Sequence, residues 1–80
     1  MDAEARSLAL LGAGYPAAVA VLVRWAAVVR ERRWRWLAVH HLGMAAIVAG
    51  WAARRPGAAV VNGAWLVASS VWFAAGGRRS

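Results

Sequence analysis

The chain has 80 residues, of which 62% are hydrophobic and 16% charged, before its eight glycines are counted; an ordinary soluble domain is about 45–50% apolar with glycine included. The length allows one domain, and the lack of cysteine excludes a disulfide scaffold, a thiolate zinc site and thiol catalysis. Net charge is +7 and all ten basic residues are arginine; with a mean hydropathy of +0.50, that balance points to anionic lipid headgroups and not to nucleic acid.

The charges punctuate the chain. Asp2, Glu4 and Arg6 precede an uncharged run at 7–23, and Arg24 opens a cationic block that continues with Arg30, Glu31, Arg32, Arg33 and Arg35. A second uncharged run covers 36–53, Arg54 and Arg55 interrupt it, a third covers 56–77, and Arg78 and Arg79 close the sequence. Runs of about 17–22 residues at 1.5 Å rise are about 26–33 Å long, close to the roughly 30 Å hydrocarbon core of a bilayer. Their polar residues are too few to give each helix a water-facing side.

The expectation is an all-α integral membrane three-helix bundle, in a single domain over 1–80. Helix 1 is placed at about 7–29, a basic cytoplasmic loop at 30–35 and helix 2 at about 36–53. A short outer loop follows at 54–57 and helix 3 at about 58–77. The first run reads as a retained helix, because Asp2 and Glu4 stand where a secretory signal would be positive. Arg6, Arg54 and Arg55 lie on one side of such a bundle. Arg24, Arg30, Arg32, Arg33, Arg35, Arg78 and Arg79 lie on the other. The richer side is cytoplasmic by the positive-inside rule, which puts the N-terminus outside and the C-terminus inside.

In helix 1, Gly12 and Gly14 precede Pro16. Proline removes a backbone donor and crowds the preceding turn, so Pro16 with Gly14 marks an expected kink or hinge. In helix 2, His40 and His41 stand one turn from the basic loop. His40 shares a face with Trp36, Gly43 and Ile47, and is read as a polar intramembrane group facing the bundle. Neighbouring helical residues point about 100° apart, so the two histidines are not expected to share a metal. In helix 3, Asn62, Trp65, Ser69 and Trp72 recur at i, i+3, i+7 and i+10, on one face. An amide in hydrocarbon must find a partner, which makes this face interhelical glue or a contact for a small solute. The segment RERRWRW at 30–36 interleaves Arg30, Arg32, Arg33 and Arg35 with Trp34, and suits lipid headgroups with an interfacial aromatic belt. No triad, carboxylate pair, phosphate loop or metal-ligand set can be assembled, so neither catalysis nor a cofactor is expected.

The stretch 40–72 resembles a family of uncharacterised small three-helix bacterial membrane proteins, whose second helix carries Asn-Leu-x-Gly and whose third carries Pro-Ser-x-x-x-Asn-x-x-Trp. Here His40 stands at the first Asn position before Gly43, Pro56-Gly57 stands for Pro-Ser, and Asn62 and Trp65 keep the Asn-x-x-Trp spacing with one residue inserted. The layout is also similar to the SemiSWEET half-transporters of the PQ-loop fold, three-helix protomers that dimerise around a central pocket. No Pro-Gln pair is present here, and Pro16 lies earlier than the hinge proline of that fold. The resemblance implies a multi-pass protein of the bacterial inner membrane. It also implies a homodimer in which Asn62 and Trp65, with Ser69 on the same face, touch a solute.

Two functions follow as expectations. The first is a homodimeric half-transporter-like facilitator of an uncharged small solute, since no acid or lysine in the spans offers ion coupling. The alternative is a non-catalytic accessory or structural subunit of a larger membrane complex, using the small residues Gly43, Ala46, Gly50, Ala59 and Gly63 for tight helix contacts. A cationic membrane-active peptide fits RERRWRW but not three full spans.

Overall fold

A computed structural model describes residues 2–79, with side chains described through residue 76. The chain folds into four helices: α1 Ala3–Leu22, α2 Trp25–Arg30, α3 Trp34–Ala52 and α4 Pro56–Arg79. No strand occurs among the described residues. α1 begins where Asp2 accepts a hydrogen bond from the Ala5 amide at 2.7 Å, a side-chain N-cap, and Glu4 favours the first turn. α4 begins on Pro56, whose missing N–H is no loss at a first helical position.

The single helix expected over 7–29 is two. α1 runs through Pro16 without interruption and stops at Leu22; the break falls at Val23–Arg24, and α2 follows. No glycine or proline occurs from Ala17 to Leu42, so no local signal marks the break. Its cause is tertiary. The turn lets α2 lay Trp25, Val28 and Val29 against Val21 and Phe73, all five buried. A straight helix would carry those side chains past the end of their neighbours.

α2 ends in a Schellman motif. The Arg33 amide bonds to Val28 O and the Arg32 amide to Val29 O, with Arg32 at φ 52. Glycine usually holds that left-handed position, because a Cβ there costs about 1–2 kcal/mol.

α3 is the centre of the fold, with α1 against one side and α4 against the other. The backbones of α1 and α4 do not approach each other. The three long helices thus stand in a row, in a body of 46 × 20 × 15 Å. α1 and α3 touch through glycine. A Cβ on Gly14 would lie 2.6 Å from Gly43 O, and one on Gly43 would lie 2.9 Å from Gly14 O. Gly14 is therefore a close-packing contact, where a hinge residue was expected.

Among the described residues, two helices are long and apolar enough to cross a membrane: Ala3–Leu22, with mean hydropathy 1.4, and Pro56–Gly76, with 1.5. Three such spans were expected. α3 falls short because Arg35, His40 and His41 dilute its apolar run.

A buried tryptophan–histidine cluster as candidate functional site

Trp65 and Ser69 project from α4 towards α3, and His40 projects from α3 towards them. The Trp65 indole Nε1 donates to His40 Nε2 at 3.0 Å. An indole N–H only donates, so His40 Nε2 must accept and its proton sits on Nδ1 in the neutral ring. That proton meets His41 Nδ1 at 3.1 Å, which leaves the His41 proton on Nε2, facing Ser70 Oγ at 2.8 Å. Ser70 Oγ donates in turn to Leu66 O at 2.8 Å. One donor-only group thus orients the chain Trp65–His40–His41–Ser70–Leu66, which crosses between α3 and α4 twice.

His40 and Ser69 are fully buried. Two indoles pack against His40, and a third, the half-exposed Trp72, packs against those two. Trp25 is 5.2 Å from the His40 ring centre and Trp65 6.1 Å, and Trp72 is edge-on to Trp25 and Trp65 at 6.1 and 6.3 Å. Offset and edge contacts at these distances suit the ring quadrupoles. Trp25 Nε1 is, among the described residues, the one buried side-chain polar atom without a hydrogen-bond partner.

Asn62, Trp65 and Ser69 share a face, as the spacing predicts, but each donates a hydrogen bond within the chain. Asn62 is half-buried and donates to Ala58 O, on its own helix, at 2.8 Å. Ser69 donates to Leu66 O at 3.0 Å. Three surface clefts, of about 450, 380 and 350 Å³, are lined by other residues.

The histidines depart from the 100° argument. Their rings lie 5.0 Å apart, tilted by 59°, with the two Nδ1 atoms within hydrogen-bond distance. The pair does not make a free chelate: the His40 Nδ1 position holds a proton, and that proton occupies the His41 Nδ1 lone pair. No group of three or more potential ligands occurs among the described residues.

The residues read as one headgroup belt divide. Arg30, Trp34 and Arg35 are exposed, and Arg33 pairs with Glu31 at 2.6 Å. Arg32 is turned inward. Its guanidinium donates to Phe73 O, lies 3.8 Å over the Phe73 ring and 5.4 Å over that of Trp34, and so ties the α2–α3 turn to α4.

Trp25, His41 and Ser70 are absent from the sequence-derived site. Trp25 is hidden in the helix expected to run straight past it, and Ser70 lies beside the face that holds Ser69. Comparison with protein-family models, curated proteins and solved structures finds no match for this chain.

Proposed function

We propose that the chain is a multi-pass membrane protein, with α1, α3 and α4 crossing the bilayer, that works as a non-catalytic packing subunit. The observation that carries this is where polar and apolar atoms lie. Leu8, Val19, Leu42, Val60, Val61, Val67 and Val71 are each 50–73% exposed, while His40 is fully buried and the chain Trp65–His40–His41–Ser70 is hydrogen-bonded throughout, with only its His41–Ser70 end at the surface. Only 22% of the α1 span and 11% of the α4 span is buried, too little for core helices of a water-soluble domain. α3 joins them as a span because His40 is covered and both histidine rings are hydrogen-bonded, which hydrocarbon demands. The arginine asymmetry supports an outside N-terminus and a cytoplasmic C-terminus, and the resemblance of 40–72 to small bacterial membrane proteins supports a bacterial inner membrane.

Such a subunit acts through what it packs against. Native mass spectrometry of the tagged full chain, gently extracted from its own membranes, tests this. A heteromer of fixed stoichiometry with another membrane protein is expected; a homodimer with no added mass defeats it.

A second reading keeps the homodimeric half-transporter-like facilitator of an uncharged solute. It rests on Asn62, a half-buried amide in the N-terminal half of α4 whose neighbours Gly63 and Ala59 leave room beside it. Replacing Asn62 with Ala should abolish solute uptake into vesicles and leave assembly intact. Unchanged uptake removes this reading.

A further inference from the structure

The chain changes direction twice at one end of the molecule, once between α1 and α2 and once between α2 and α3. The two turns leave a cleft of about 380 Å³ between the last turn of α1, α2 and the first turn of α3. Ala20, Val21, Ala27 and Val28 form an apolar wall, and Arg24, Arg33 and Trp36 complete the lining. Arg24 has no acidic partner among the described residues. Arg33 is held by Glu31, in an exposed pair that a stronger anion can share or displace. Glu31 is the one carboxylate between Arg24 and Trp36; the other charges there are Arg30, Arg32 and Arg35, with Arg32 committed to Phe73 O.

A guanidinium fork matches two oxygens of a phosphate, and an apolar wall beside it matches the glycerol and first methylenes of a lipid. Trp36 is half-exposed, suited to the headgroup level where such rings collect. We propose that this cleft binds one anionic phospholipid, its phosphate held by Arg24 and Arg33 and its chains running along Ala20 and Ala27. The proposal rests on the membrane reading above. It differs from a diffuse basic belt in making Arg24 and Arg33 distinct from Arg30 and Arg35.

The test uses the full chain in nanodiscs of phosphatidylcholine with a minor fraction of phosphatidylglycerol, released for native mass spectrometry. One phosphatidylglycerol should stay bound in preference to phosphatidylcholine. Arg24→Gln with Arg33→Gln should lower that occupancy at least about tenfold, whereas Arg30→Gln with Arg35→Gln should leave it unchanged. Wild-type selectivity decides the matter even if a variant loses helicity by circular dichroism. Equal retention of both lipids overturns the site, as does equal loss in both double variants. Displacement by millimolar inorganic phosphate would make it a free-phosphate site and also overturn the lipid assignment. Resistance of the wild type to alkaline extraction from pure phosphatidylcholine vesicles is read separately. Failure there sinks the membrane reading, while success with no lipid selectivity sinks only the cleft.

Discussion

Arg32 combines a conformation that suits glycine with contacts that only an arginine makes. Its backbone sits at φ 52, while its guanidinium bonds Phe73 O and lies over the Phe73 ring, within cation–π reach of Trp34. A charge-assisted hydrogen bond contributes about 1.5–3 kcal/mol and a cation–π contact about 0.5–2 kcal/mol, more than the left-handed strain costs. Arg32→Ala should therefore lower stability by about 2 kcal/mol. Arg32→Gly should lower it by about 1 kcal/mol less, because glycine relieves the backbone. Thermal unfolding of both variants in detergent checks the ordering, and equal losses would mean that the strain is not real. The histidine chain makes a second claim at this scale. Nitrogen NMR should find His40 protonated on Nδ1 and His41 on Nε2, and Trp65→Phe should abolish the His40 preference. Without the indole, His40 Nε2 is a buried acceptor with no partner, and stability should fall by about 1–3 kcal/mol.

Among the elements, glycines that look alike in the sequence separate in the structure. Gly43 and Gly63 both belong to stripes of small residues. A Cβ on Gly43 would collide with the α1 backbone, whereas one on Gly63 would meet nothing within 4 Å. Gly43→Val should cost about 1–3 kcal/mol through overpacking. Gly63→Val should stay within about 0.5 kcal/mol in the isolated chain. Guanidinium-free denaturation in detergent measures both. The bounds of α3 and α4 were legible to within about two residues, because Arg54, Arg55 and Pro56 separate two apolar runs. The end of α1 was not, since the six residues of α2 continue an apolar helical pattern without a breaker.

For the whole molecule, the row α1–α3–α4 has a consequence for covalent mapping. The chain lacks cysteine, so introduced pairs report cleanly. Leu11→Cys with Gly50→Cys should cross-link within one chain, because a Cβ on Gly50 would lie 2.8 Å from Leu11 Cγ. Val19→Cys with Val71→Cys should not, as the backbones of α1 and α4 stay apart and both side chains face outward. Oxidised bands on a denaturing gel distinguish the outcomes, and an intrachain Val19–Val71 link would refute the row.

The sequence by itself determined that this protein is helical, that its helices are apolar on most sides, and that arginines mark where they end. Those properties follow from composition and from spacing within one or two turns, where each residue's neighbours along the chain are also its neighbours in space. The tertiary structure decided the break at Val23–Arg24, the central place of α3, and the pairing of Trp65 with His40. It also turned Arg32 from the headgroup belt to the Phe73 carbonyl. Each of these depends on groups 25 to 41 positions apart, or on packing between helices. Spacing along a helix places a side chain on a face, but only the packed neighbour settles whether that side chain meets lipid, a ring or a carbonyl.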